Sequence, residues 1–286
     1  MSELFESFLK TFQDKNGNYR YRARISQLVA SGGKSVLVDY DDLIQFNVDL
    51  AHQLLQEPDG SFEEFRTAAY ETMSSENAPY ADRVRKVLAV RIRGIQDRVP
   101  LRKVDTSYLD KLVAVSGMVV RTSELRPLLV DGAFVCPNGH LTMQLQDGLA
   151  IKRPVKCETC DETRNLELDQ KKSAFIDSQM LRIQELPEEL PPGQLPQFFD
   201  VDLQSETVNT ARPGDRLVLT GVVRAEPDFA PGQGKMRLFR SKIECNYIEV
   251  IGKEPEQVQV SKEDELLIRS VVTSTDAYQK LISSIA

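Results

Sequence analysis

An α+β chain, with a helical bundle subdomain first and a small β-barrel after it into which a cysteine-rich piece is set, is the architecture that the sequence predicts. Three observations carry that prediction. Apolar residues recur at helical spacing through the first ninety or so positions, the period changes to two after Val84, and three of the four cysteines fall within 25 residues, beside one of only two histidines.

The helical part is read from its stripes. Leu4-Phe5, Phe8-Leu9 and Phe12 form one, and Leu43, Phe46, Leu50 and Leu54 form another in the segment that begins at Asp41-Asp42. Between them Lys34 to Tyr40 has strand character, and Ser61 followed by Glu64 predicts a capped start for a helix carrying Phe65, Ala69 and Met73. Ser31-Gly32-Gly33-Lys34-Ser35 resembles the end of a phosphate-binding loop. That pattern needs a glycine separated from the Gly-Lys pair by four residues, and Leu28 stands there, so a helix-to-strand turn is expected.

From Val84 to Ile92 apolar residues sit among Arg85, Lys86 and Arg91, as in a half-buried strand. Further strands are expected at Leu112 to Arg121, Ala174 to Glu185, Leu217 to Arg224, Lys235 to Ile243 and Tyr247 to Ile251, with turns at Pro213-Gly214 and Pro231-Gly232. Five or six short strands suit a five-stranded barrel of the OB type. The expected division is 1–94 helical, 95–130 and 171–252 the two parts of the barrel, 131–170 the cysteine-rich insertion, and 253–286 a linker and first helices, one capped by Ser261 and Asp264 and another starting near Asp276.

At 286 residues and 41% hydrophobic content the chain can bury a sizeable core. Its longest apolar runs fall far short of the ~20 residues a membrane helix needs. Met1 to Phe12 carries Glu3 and Glu6 and lacks the basic flank of a secretory signal, so a cytoplasmic protein with no membrane partner is expected. A net charge of −7 argues weakly against nucleic acid, whose binding is driven by Lys and Arg releasing counterions. Distribution counts for more. From Asp82 to Arg126 there are eleven Lys or Arg against five Asp or Glu, and from Phe229 to Ile243 there are four basic residues and no acid.

Chemistry is written most clearly in Cys136-Pro-Asn-Gly-His140, then sixteen residues, then Cys157-Glu-Thr-Cys160. Zinc takes four N or S ligands in a tetrahedron, and two short knuckles giving two ligands each supply them. Four protein ligands leave no position for water, so the expected zinc is structural. The alternatives, a redox Cys-x-x-Cys or a deaminase-type catalytic zinc, fit less well, the second because no Glu follows His140 closely. Cys245, alone in a strand-rich stretch, is expected to be a buried hydrophobe.

The second signal is the basic stretch Glu226 to Lys242. Pro231, Gly232 and Gly234 predict a hairpin tip, which Lys235 and Arg237 leave on one face while Met236 and Leu238 take the other. With Arg240 and Lys242 these make a cationic stripe suited to phosphates, and equally to a solvated edge strand. Third comes Leu186 to Pro196, stiffened by four prolines. No Ser-His-Asp or Cys-His arrangement occurs, His52 being the only histidine outside the zinc group.

Together these stretches resemble the amino-terminal region of the minichromosome maintenance (MCM) helicases, archaeal subgroup. The resemblance rests on Phe175-Ile-Asp-Ser-Gln, Gln184-Glu-Leu-Pro-Glu-Glu-Leu-Pro-Pro-Gly-Gln-Leu-Pro196, Thr210-Ala-Arg-Pro-Gly-Asp-Arg216 and Leu219-Thr-Gly-Val222, placed after a zinc insertion and before a basic hairpin, and on Val115-Ser-Gly-Met-Val-Val-Arg-Thr-Ser-Glu-Leu-Arg-Pro127. His140, where eukaryotic relatives commonly have a fourth cysteine, agrees with the archaeal subgroup.

The resemblance implies a helical subdomain, a zinc subdomain and an OB-fold whose hairpin, with Lys235 and Arg237, points into the channel of a homo-hexamer or double hexamer. It implies that Arg121 and Arg182 grip single-stranded DNA, and that the loop carrying Glu188, Glu189 and Gln194 communicates with an ATPase domain. Single- or double-stranded DNA, bound without reading its sequence, and replication and loading factors are the partners it implies. ATP and Mg would belong to that ATPase domain. No Walker motif occurs and Tyr278 to Ala286 resembles the segment just before the ATPase core, so the chain is expected to be truncated and no enzyme by itself, the full-length protein being an ATP-dependent DNA helicase. Two other readings stand beside this one: a structural ring-assembly module through which DNA is only threaded, and a zinc hydrolase, which would require an open metal site and a nearby base.

Overall fold

The computed structural model describes residues 2–251, apart from 15, 16, 147, 149, 164 and 231–233; the side chains at 2, 229, 230 and 234–236 are not among those described. The helices expected near Ser261 and Asp276 therefore lie outside the described residues, as does the tip Pro231-Gly232.

Five helices, α1 (Ser2–Thr11), α2 (Arg20–Ser31), α3 (Tyr40–Phe46), α4 (Val48–Gln56) and α5 (Pro58–Val84), build the first part. Their stripes meet in one core of Phe5, Phe8, Leu9, Tyr21, Ile25, Leu43, Leu54, Phe65 and Met73. Phe5 stacks on Phe65 with ring centroids 4.4 Å apart, a geometry that adds to the burial of two large rings. Leu4, read with this stripe, is 42% exposed because it lies one position off the buried face. The start of α5 is also earlier than Ser61. Pro58 opens the helix, where its missing N–H is no loss, and Ser61 is buried one turn inside. Farther along, α5 breaks at Asn77, whose φ of −152° is not helical and whose Oδ1 accepts from the Tyr80 amide at 3.2 Å, re-capping the chain ahead of its last turns.

The helices are not alone. Strand β1 (Ser35–Asp39) pairs in parallel with β2 (Ala89–Arg93) in a two-stranded sheet, so the period-two segment after Val84 belongs to the helical part and not to the barrel. The other edge of β2 meets one side chain. Asn246 Oδ1 accepts from the Ile92 amide at 2.7 Å, and its Nδ2 donates to the Val90 carbonyl at 2.8 Å. Leu112, Ala114 and Val222 of the barrel complete the same core.

The remaining strands are β3 (Leu112–Thr122), β4 (Arg126–Val135), β5 (Leu141–Leu145), β6 (Glu167–Leu168), β7 (Ala174–Gln184), β8 (Phe198–Gln204), β9 (Arg216–Ala230) and β10 (Gly234–Ile251). Strand β3 pairs with β9, β9 with β10, β10 in parallel with β8, β8 with β7, and β7 returns to β3, closing five strands into an OB-type barrel. Val115, Val119, Leu181, Ile183, Val201, Leu203, Leu219 and Ile243 fill it. Cys245 is buried there too, and burial pushes its thiol up to about 12, which keeps it inert.

The strand count is as expected, but its membership differs. β8 was not read from the sequence, while 235–243 and 247–251 are one strand with a bulge between Cys245 and Tyr247. β4 pairs with β7 and carries β5 and β6 away from the barrel to hold the Cys/His segment.

Barrel closure demands a close approach at Gly221, where a Cβ would lie 2.5 Å from Ile243 Cγ2 and 2.6 Å from the Glu244 carbonyl oxygen. A backbone atom cannot rotate aside. Gly221→Ala is expected to destabilise the chain by ~1–3 kcal/mol, seen as a fall in Tm of several degrees, and an unchanged Tm would contradict the contact.

Candidate metal centre and nucleic-acid interface

One ligand atom from each of Cys136, His140, Cys157 and Cys160 lies within 4.8 Å of the others. The first knuckle is shaped by a turn in which the Gly139 amide donates to the Cys136 carbonyl at 2.9 Å and the Cys136 amide to the His140 carbonyl at 3.1 Å. In the second, the Cys157 amide donates to the Glu162 carbonyl at 2.8 Å, and the Asp161 amide returns to the Cys157 carbonyl at 3.0 Å.

Cys136 Sγ stands 3.7 Å from Cys160 Sγ and 3.6 Å from His140 Nδ1. A tetrahedral zinc with Zn–S of ~2.3 Å and Zn–N of ~2.0 Å spaces its ligands by about 3.8 and 3.5 Å respectively. The residues fit the ion. Thiolates are the ligands zinc takes, and the backbone amides of Thr159 and Cys160 hold the Cys157 thiol below its ordinary value, as the Asn138 side-chain amide does for Cys160. Burial pushes Cys136 the other way. Beneath the knuckles is a small core of Phe134, Leu166 and Leu168.

The cations that the sequence grouped together have different surroundings. Arg237 is exposed on β10 beyond the barrel. Lys235 lies on the same strand, its backbone paired with Phe229, and its side chain is outside the described residues. Arg240 forms an ion pair with Asp228 of β9. Lys242 Nζ stands 2.8 Å from Asp202 and 3.1 Å from Glu226, and these carboxylates raise its affinity for the proton against the opposing effect of burial. Arg121 and Arg182 are cross-strand partners on β3 and β7. Arg182 makes a two-pronged contact with Asp200, at 2.7 and 2.9 Å, while Arg121 is exposed and forms no ion pair among the described residues. Strand β10 therefore changes along its length, its cations neutralised at the barrel and Arg237 exposed farther out.

The proline-rich loop joins β7 to β8. The Gln194 amide donates to the Pro191 carbonyl at 3.2 Å across Pro192 and Gly193, and the φ of +77° at Gly193 is the one a type II turn needs at that place. Glu189 accepts from Ser116 Oγ at 3.1 Å, and Glu188 pairs with Arg216 at 2.7 Å. Sequence reasoning assigned no role to Arg102, which binds Glu185 and the Leu195 carbonyl at the loop's base. No spacing rule connects residues 83 and 93 positions apart.

The Gly-Gly-Lys-Ser turn is occupied from within. The Lys34 amide donates to Glu206 Oε1 at 3.1 Å and the Ser35 hydroxyl binds the other oxygen of that carboxylate, so the groups a phosphate would seek are already engaged. His52 is exposed on α4. No helix among the described residues is long and apolar enough to cross a membrane.

Residues 2–94 match the family model of the MCM N-terminal domain, and residues 100–227 that of the MCM OB domain. The chain is similar to the minichromosome maintenance protein MCM of Saccharolobus solfataricus, 29% identical over 290 residues that take in 99% of this chain and 42% of the relative. It is also similar to the DNA replication licensing factor mcm4 of Xenopus tropicalis, at 27% identity over 93% of this chain and 32% of the relative. With the DNA replication licensing factor Mcm3 of Drosophila melanogaster it shares 29% identity, over 100% of this chain and 36% of the relative. The chain spans less than half the length of these curated relatives.

Proposed function

Because the chain belongs to the minichromosome maintenance family, whose N-terminal and OB domains it carries, we propose that it is the DNA-binding and ring-forming module of a replicative DNA helicase. Several copies close into a ring, a hexamer or double hexamer, and their hairpins pool positive charge in one channel. There they hold the sugar-phosphate backbone without reading bases. The observation that carries this reading is the β9–β10 hairpin, which runs past the barrel and carries an exposed Arg237. A ring also reconciles DNA binding with a chain of net charge −7, since only the lining has to be basic.

Arg121 and Arg182 on the barrel wall are assigned to the single strand, with Arg240 and Lys242 extending the hairpin's stripe. Cys136, His140, Cys157 and Cys160 would hold a structural zinc. ATP hydrolysis belongs to a domain of the full-length protein, reached through the loop bearing Glu188, Glu189 and Gln194. Replication and loading factors are the further partners.

A second reading is favoured by one observation. Arg182, Arg240 and Lys242 already have carboxylate partners, as they would in a module that assembles a ring and lets DNA pass through untouched. Sedimentation at low salt with and without DNA separates the two. Rings that retain DNA are expected; rings that form and never retain it would establish the second reading, and a chain that stays monomeric in all conditions would remove both.

A further inference from the structure

The loop between β7 and β8 is closed at its base by a single side chain. Arg102 lies in a short helical turn, Leu101–Lys103, whose Leu101 is buried in the barrel core. From there its guanidinium reaches Glu185 at the end of β7 through Nε at 3.1 Å and Nη2 at 2.9 Å, and the same Nη2 donates to the Leu195 carbonyl at 3.0 Å. Glu185 is 2% exposed. Its amide donates to the Gln197 carbonyl at 3.0 Å, and its carboxylate accepts from the Gln197 amide at 3.4 Å. Both ends of the loop thus converge on one ion pair, whose carboxylate is buried and whose guanidinium is partly exposed.

Two other tethers hold the loop farther from its ends: Glu189 accepts from the buried Ser116 Oγ at 3.1 Å, and Glu188 pairs with Arg216. Arg216 and Glu188 are each about half exposed, and such a pair contributes little in water. Prolines fix φ within the loop but not the angle at which the loop leaves the barrel. Leu195 is 84% exposed, so no packing holds it either.

We propose that Arg102 is the positioning residue of this loop, fixing through Glu185 and the Leu195 carbonyl where Gln194 and Leu195 are presented. This rests on the reading of the loop as the contact with the ATPase domain. The fork geometry matters as much as the charge, because a lysine ammonium cannot span both carboxylate oxygens and a carbonyl as a guanidinium does.

The obvious variant, Arg102→Met, leaves a carboxylate buried without its cation and could lower stability for that reason alone. Arg102→Met with Glu185→Met separates the two effects, since an apolar pair of similar volume can restore stability while the Leu195 carbonyl still lacks its donor. Hydrogen exchange on this chain is expected to show the Gln194 amide, which bonds within the loop and not to Glu185, at least about tenfold less protected in both variants, with the Tm of the double variant returned towards that of the parent. Arg102→Lys should recover part of the Tm and little of the protection. A Gln194 amide as protected as in the parent would overturn the positioning role.

In the full-length protein the same double variant is expected to lose several-fold of the stimulation of ATP turnover by DNA while keeping its DNA-independent turnover. A loop loosened by exchange with stimulation unchanged would overturn the loop's assignment as the interdomain contact and leave the role of Arg102 in shaping it intact.

Discussion

Replacing Cys157 with Ser is expected to remove stoichiometric zinc and unfold the segment between Phe134 and Leu168, while the barrel stays folded. Apart from the ligands themselves, the core beneath the knuckles consists of Phe134, Leu166 and Leu168, too little apolar surface to hold some thirty residues in place. In small zinc-binding peptides the metal contributes an apparent ~10–16 kcal/mol near neutral pH, and here it would supply most of what orders the knuckles. The barrel has its own closed ring of strands and its own core, so the damage stops at β4. Metal analysis of the purified chain should give one zinc per molecule, and the variant well under one. Hydrogen exchange should localise the loss to residues 134–168. A parent chain that purifies with far less than one zinc, or a variant with undiminished protection there, would defeat the four-ligand assignment.

The second large effect is expected from Lys235→Ala combined with Arg237→Ala. On duplex DNA each phosphate neutralised adds about 0.9 to the slope of log affinity against log salt, and on a single strand about 0.7. Two cations removed from every copy in a ring should therefore weaken binding by at least about tenfold at moderate salt and flatten that slope together. Arg182→Ala is the internal comparison. Its guanidinium already holds Asp200 in a two-pronged contact, and a phosphate must displace that carboxylate before it binds. A smaller loss is expected from Arg182 than from the hairpin pair. If affinity and slope are both unmoved in the double variant, the hairpin does not hold DNA.

How much of this could be read beforehand depended on distance along the chain. The Cys/His group was legible because each knuckle spans five residues or fewer and the ligand spacing is itself the chemistry. Strands β3, β7 and β9 were legible from alternation. Strand β8 was passed over because Asp200 and Asp202 are poor strand formers and the segment follows a run of prolines, although Phe199, Val201 and Leu203 alternate with them. β2 was legible as a half-buried strand, but its pairing with β1 was not, because a two-residue period says that one face is buried, not which neighbour covers it.

The ion pairs were beyond reach altogether. Arg224 is held by Asp59, Asp110 and Glu244, and its pairing with Asp59 closes a sequence distance of 165 residues. Arg182 with Asp200 and Lys242 with Asp202 depend on which strands lie side by side, so a count of positive charges overstated how much of it is available.

Asn246 gives the link between helices and barrel an unusual genetic property. A backbone ladder survives most point mutations, because every residue type except proline brings the same amide and carbonyl. Here a carboxamide stands in for the missing strand, with one donor and one acceptor aimed at the Val90 carbonyl and the Ile92 amide. An aspartate in its place would set oxygen against oxygen at the Val90 carbonyl. Replacing it would cost the join both of these hydrogen bonds, leaving the shared core of Leu112, Ala114 and Val222, the pairing of Arg224 with Asp59 and the contacts of Glu206 with Lys34 and Ser35 to hold the two halves together.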